Sequence, residues 1–220
     1  MDEVVITSDD STSVHSSLFD ATYHSRHGAI QESRYVFLNA GLHYYLNYRS
    51  LSTVKILEVG YGTGLNALLT AKYIDGKKVQ CFYTGIEAYP ISESTIMALN
   101  YGSILECQEL FNMINHSEWA EENKITDNFF LIKKNVLLEK FETDSKYDII
   151  YYDAFAPDIQ PHLWEDDMMK KMHSLTRKGS ILVTYCAKGS FRRTLEKVGF
   201  RVERIPGPKG KREMIRALRK

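Results

Sequence analysis

The sequence is poor in cysteine, and what it has is scattered. Cys81, Cys107 and Cys186 lie far apart in 220 residues, with no C-x-x-C pair. An odd, dispersed set excludes a disulfide framework and a thiolate zinc site, so each is expected as a small buried hydrophobe. The seven histidines form no H-E-x-x-H pattern and no cage-like spacing, so no metal is expected. Long apolar runs are missing too: none approaches the roughly 18 residues of a membrane span. The N-terminus "MDEVVITSDDSTSVHSS" lacks the basic and apolar regions of a secretory signal. The expectation is a soluble, cytoplasmic chain, with a monomer favoured. No repeat, low-complexity tract or linker interrupts it, and its length, with 44% hydrophobic residues, fits one domain spanning residues 1–220.

Net charge is also absent, yet the charges are segregated. From Lys170 to Lys220 there are 16 Lys/Arg against three acids, which leaves 12 basic and 25 acidic residues before Lys170. A segment near +13 suits a polyanion, so nucleic acid enters as a candidate partner. Lys188, Arg192, Arg193, Lys209, Lys211 and Arg212 are the candidate phosphate contacts.

What is present is a regular alternation. Strand-like runs recur at 54–60, 79–88, 129–134, 147–155 and 179–186, each bounded by turn or polar residues. Helical patterns separate them: "LNALLTAKYI", a stretch from Ser92 to Asn123 long enough for two helices, "LWEDDMMKKMHSLT", and "GSFRRTLEKVG" with its stop at Gly199. Alternation predicts a parallel sheet covered on both faces. The end departs from it, because "FRVERI" and "EMIRAL" are joined by only "PGPKGKR" and must pair as an antiparallel hairpin. A mostly parallel seven-stranded sheet closed by such a hairpin resembles the class I methyltransferase fold, an α/β Rossmann-like architecture. Before the first core strand, the segment 1–53 reads as an extension with an aromatic-rich helical stretch, "QESRYVFLNAGLHYYLNYR", placed to cover a sheet edge and wall the site.

The first strand runs into "EVGYGTGLN". Its glycines, Gly60, Gly62 and Gly64, leave Leu65 where a dinucleotide fingerprint would need a third glycine, so a dehydrogenase is disfavoured. A turn without Cβ atoms still lets a ligand approach the backbone. Glu58 just before it would repel a pyrophosphate and tolerate a cationic ligand such as S-adenosylmethionine. Glu87 ends the second strand, where α/β nucleoside-binding folds keep an acid for ribose hydroxyls. Asn135 ends the third, where its side-chain oxygen can accept from an adenine amine.

"YYDAFAP" ends the fourth strand at the carboxyl edge of the sheet, the edge on which α/β enzymes carry their chemistry. Asp153 would face the cleft, with Phe155, Pro157 and Trp164 as apolar surfaces for a flipped-out base. A strand-end cap and ordinary core packing are the competing readings of these residues.

Four separated stretches, "ATYHSRHGAIQESRYVFL", "EVGYGTGLN", "YYDAFAPDIQPHLW" and "GSFRRTLEKVGFRVERIPGPKGKREM", together resemble the methyltransferase domain of the tRNA-modifying MnmC family, from about Phe19 to Met214. The resemblance implies S-adenosylmethionine as cofactor and methylation of the amine of 5-aminomethyl-2-thiouridine at the wobble position of the tRNA anticodon region. It implies a stand-alone form without the family's flavin oxidase domain, dependent on an aminomethyl substrate made elsewhere. It assigns Glu58, Gly60, Gly62, Thr63, Gly64, Leu65 and Asn66 to the cofactor loop, Glu87 to the ribose, and Asp153, Phe155 and Pro157 to the catalytic edge. Tyr23, Ser25, Glu32, Arg34 and Tyr35 match the N-terminal motif that shapes the pocket, and Lys211, Arg212, Glu213 and Met214 the C-terminal one. Asn135 stands where the family has Asp, and Ala154 where Gly is common.

In-line methyl transfer to an amine needs a neutral lone pair, and Asp153 is the expected acceptor of the amine's hydrogen bond. Two other readings use the same residues. One is an aminopropyltransferase taking decarboxylated S-adenosylmethionine, against which the basic C-terminal part would repel a polyamine. The other is a tRNA-binding relative that has lost catalysis, against which the acids and the loop are intact.

Overall fold

The computed structural model describes residues 2–47, 49 and 51–220. Its main sheet has eight strands in the order β10-β11-β9-β8-β4-β5-β7-β6. The five parallel strands are β4 (Thr53–Val59), β5 (Gln80–Glu87), β7 (Phe129–Asn135), β8 (Tyr147–Tyr152) and β9 (Thr176–Thr184). The hairpin β10 (Phe200–Pro206) and β11 (Glu213–Arg219) closes one edge, with β11 antiparallel to both β10 and β9. A short antiparallel strand, β6 (Glu122–Lys124), is added at the other edge, so the sheet has one strand more than the seven expected. Three polar residues carry no periodic signal, and only pairing with β7 makes them a strand.

The central strands read as buried on both faces, which is the pattern of a covered parallel sheet. All six residues of β8 are buried, and their side chains alternate between two cores. Ile149 and Tyr151 join the cluster with Ile56 and Val183, while Ile150 and Tyr152 join the one with Leu57 and Leu182. The first core is covered by α3 (Leu65–Ile74), α6 (Gln108–His116) and the N-terminal helix. The second lies under α7 (Asp166–Ser174) and α8 (Gly189–Lys197).

The N-terminal helix is continuous, passing from α1 (Ala29–Ser33) through a π-helical stretch at Arg34–His43 into α2 (Tyr44–Asn47). It lies flat on the sheet because Gly41 has no side chain: a Cβ there would stand 3.0 Å from the Tyr151 ring and 3.2 Å from Val183. Ahead of it, β1 (Glu3–Ile6), β2 (Thr12–Ser16) and β3 (Ala21–Thr22) form a small antiparallel sheet that the polar composition concealed. The stretch from Ser92 forms three short helices rather than two, α4 (Glu93–Met97), α5 (Tyr101–Ile104) and α6, because positive φ at Glu106 separates the last two. Among the described residues no helix is long and apolar enough to cross a membrane.

Candidate functional site

The chain order places the sheet's switch point between β4 and β8: β5 and β7 lie on one side of β4, and β8 and β9 on the other. Strand ends diverge at such a point and leave a crevice. Here that crevice is a cavity of about 390 Å³, within the usual size range of ligand pockets. Gly60, Glu87, Asp153 and Tyr185, each just at or beyond a strand's carboxyl end, line it.

Gly60 makes the crevice narrow. Its N–H donates to the Ile86 carbonyl at 3.0 Å, its φ is 85°, and a Cβ would stand 2.6 Å from the Asp153 carbonyl oxygen. Only a residue without a side chain lets β4 and β8 approach this closely. Gly62 and Gly64 also have positive φ, but they do not line the cavity. Gly62 lies against Tyr23, while Gly64 is the left-handed residue from which α3 starts.

Glu87 is 8% exposed, and its carboxylate is fixed by backbone donors: Gly62 N–H to Oε2 at 2.8 Å, Tyr89 N–H to Oε1 at 2.9 Å, and Ala88 N–H. About four lone-pair sites serve these donors, so the carboxylate can still accept from a ligand. Burial raises its pKa, and those N–H groups oppose the rise.

Behind the cavity wall lies a second carboxylate. Glu58 is 1% exposed and does not line the cavity, contrary to its expected place beside a ligand. It accepts from Asn66 Nδ2 at 2.8 Å and from the Tyr83 hydroxyl at 2.8 Å. Burial pushes its pKa up to about 8 against the pull of those two bonds. Thr63, Leu65 and Asn66 are likewise buried behind the loop, because α3 turns its first residues into the core.

Asp153 lines the cavity, half-buried, and its Oδ2 accepts from Asn66 Nδ2 at 2.9 Å. Burial, then the charges of Glu58 and Glu32, push its pKa well above the usual carboxylate range, while Asn66 and Lys211 oppose them. The described lining residues include four acids, Glu32, Glu87, Glu139 and Asp153, against one lysine, Lys211. That lysine is held by Glu32 at 2.5 Å and lies over the Tyr185 ring at 4.0 Å. The wall therefore favours a cationic ligand.

The N-terminal segment supplies the remaining wall. Tyr23, Ser25 and Glu32 line the cavity as the motif implied, with Ser25 N–H bonded to Glu32 Oε2 at 2.9 Å. Arg34 and Tyr35 do not: the helix turns Arg34 to the surface and Tyr35 against the core. Phe155 is in the wall and packs on Phe19 at 4.8 Å and Tyr23 at 4.9 Å. Phe19 also meets Tyr89 edge-on at 5.4 Å, so these rings close one side of the cavity. Sequence reasoning missed Phe19, Tyr89, Tyr185 and the His162–Glu139 pair (3.2 Å); the one available signal was their position at strand ends and turns.

Other expected residues lie elsewhere. Asn135 is exposed and outside the cavity lining, its Nδ2 donating to the Glu87 carbonyl at 3.1 Å. Pro157 and Trp164 line a separate groove with Phe191. Trp164 is 4% exposed, donates Nε1–H to the Phe155 carbonyl at 2.8 Å, and packs edge-on to Tyr152 and Phe191, so it is core rather than a stacking platform. Arg192 and Arg193 lie on α8, with Arg193 exposed. Lys209 and Arg212 are exposed in the β10–β11 connection. Lys188 is paired with Asp158 at 2.5 Å, and Lys211 belongs to the cavity wall. Among the described residues no three His, Cys, Asp or Glu side chains gather as metal donors.

Residues 108–220 match a family model described as S-adenosyl-L-methionine-dependent methyltransferase. The bifunctional protein MnmC of tRNA 5-methylaminomethyl-2-thiouridine biosynthesis from Leptospira interrogans is 30% identical over 91% of this chain and 33% of its own length. The protein of the same name from Marinomonas sp. is 30% identical over 91% of this chain and 31% of its own. The chain thus spans about a third of these curated relatives. Among solved structures, MnmC2 from Aquifex aeolicus superposes with a TM-score of 0.82 at 22% identity, over 100% of this chain and 70% of that one. A SAM-bound amino pentose methyltransferase, CalS10 from Micromonospora echinaspora, gives 0.51 at 9% identity, over 89% and 93%.

Proposed function

This chain belongs to the S-adenosyl-L-methionine-dependent methyltransferase family, and from that premise we propose that it methylates the amine of 5-aminomethyl-(2-thio)uridine at the tRNA wobble position, giving 5-methylaminomethyl-(2-thio)uridine. The observation that carries this reading is Asp153, a half-buried carboxylate held at one oxygen by Asn66, in a cavity whose charged lining is four acids against one lysine. The residues fit the cofactor: Gly60 brings bare backbone to the cavity wall, and the Glu87 carboxylate lines it within reach of ribose hydroxyls. S-adenosylmethionine supplies an activated methyl on a sulfonium sulfur.

Everything else falls to the chain. Glu87 would hold the ribose, and the bare backbone at Gly60 would take the part of the cofactor nearest Asp153. The rings of Phe19, Tyr23 and Phe155 would exclude water and flank a flipped base. Asp153 would accept a hydrogen bond from the acceptor amine and orient its lone pair. It would also stabilise the positive charge that builds on nitrogen. Burial and the neighbouring glutamates raise its pKa, and a cation beside it favours the ionised form. The tRNA itself would be held by the cations around Arg192, Arg193, Lys209 and Arg212.

Asp153→Asn keeps the size of the side chain and removes its charge. Methyl transfer should fall by roughly two to three powers of ten, the scale of one missing electrostatic interaction in the transition state. Nucleoside mass spectrometry reads the transfer, and calorimetry with S-adenosylhomocysteine should find affinity nearly unchanged. A variant as active as the parent would leave Asp153 as a strand-end cap.

A further inference from the structure

Asn66 does not line the cavity, yet it hydrogen-bonds both the buried Glu58 and the half-buried Asp153. Its amide has two N–H hydrogens, and they are divided between Glu58 Oε1 at 2.8 Å and Asp153 Oδ2 at 2.9 Å. Its own Oδ1 is buried without a partner among the described residues, a costly arrangement. Turning the amide over would withdraw both N–H donors from the two acids, so their ionised forms favour the observed orientation. Glu58 is anchored in turn by the Tyr83 hydroxyl. A chain of hydrogen bonds therefore runs from β5 through β4 and the first turn of α3 to the end of β8.

We infer that Asn66 is a positioning residue, which fixes the Asp153 carboxylate for the acceptor amine by tying it to the anchored Glu58. This rests on the function proposed above, in which Asp153 meets that amine. Asp153 has few other constraints: among the described residues its side chain has no second hydrogen bond. The charged and titratable groups around it are Glu58 from β4, Glu32 from α1, Lys211 from the hairpin connection and Tyr185 beyond β9. Of these groups, the Asn66 N–H and Lys211 favour the ionised carboxylate, while burial and the two glutamates oppose it. Asn66 thus holds both the direction and the charge of Asp153.

The test is Asn66→Ala, with two readouts. With aminomethyluridine tRNA, kcat should fall about 10- to 100-fold with KM nearly constant, as expected when a reacting group loses its alignment. In the free protein, carbon NMR of labelled aspartate, assigned against Asp153→Asn, should show the Asp153 titration moved to higher pH. S-adenosylhomocysteine affinity should match the parent. An unchanged kcat and an unmoved titration overturn the inference while leaving the proposed function intact. A parent that binds S-adenosylhomocysteine but methylates no tRNA refutes that function instead, and the titration alone then decides whether Asn66 governs Asp153. If the alanine variant does not fold, Asn66→Ser, which can serve only one of the two acids, takes its place under the same criteria. If neither folds, Asn66 is a structural residue of the core and the inference falls.

Discussion

At the scale of single residues, the site is a set of carboxylates kept out of water, and pH is the variable that exposes them. Glu58 has a pKa of about 8 in the folded chain against 4.5 as its ordinary value. Between these values the folded state binds more protons than the unfolded one, so stability falls as pH rises through that window. Glu58→Gln keeps an acceptor for Asn66 and removes the titration, while its amide N–H turns the Tyr83 hydroxyl from donor to acceptor. Urea midpoints taken from about pH 4.5 to about pH 8 should decline less steeply for the variant than for the parent. Equal slopes would mean that Glu58 does not carry this titration. Glu87 and Asp153 were legible in the sequence because each closes an apolar strand at the sheet's carboxyl edge. The burial of Glu58 was not legible. It depends on Asn66 and Tyr83, eight and 25 residues away, turning to the same point.

At the scale of elements, the parallel strands were readable from their apolar runs and the hairpin from its short connection. The small N-terminal sheet was hidden because β2, "TSVHS", is mostly polar and yet mostly buried. Its polar groups are satisfied by distant partners, as when Ser13 meets His24 and Thr12 meets Asn100. Trp164 was misplaced for a related reason: a tryptophan after a catalytic motif and a tryptophan in a core look alike in sequence. Its packing on Tyr152 and Phe191 makes it the wedge between β8 and α8. Trp164→Ala should therefore cost about 3–5 kcal/mol in denaturant unfolding. S-adenosylhomocysteine should still bind below the variant's transition. A stable variant with weakened tRNA binding would restore the stacking role.

At the scale of the whole molecule, folding undoes part of the charge segregation. Arg177 pairs with Asp148, Lys188 with Asp158, Lys197 with Asp166 and Lys211 with Glu32, so acids from the first part of the chain neutralise cations of the last. No sequence pattern shows such long-range pairs. The cations left for a polyanion include Arg192, Arg193, Lys209 and Arg212. Replacing Arg192 and Arg193 with Ala should lower the slope of log affinity for tRNA against log salt by roughly one unit for each phosphate no longer neutralised. Lys188→Ala should change it less. An unchanged slope for the arginine pair would move the tRNA path elsewhere. The identity of the methyl acceptor is the decisive point. Transfer RNA bearing 5-aminomethyl-2-thiouridine, incubated with the parent protein and S-adenosylmethionine and digested to nucleosides, should show by mass spectrometry that this nucleoside is replaced by its 5-methylaminomethyl form. If it persists unmethylated while the protein binds the cofactor, the wobble uridine is not the substrate.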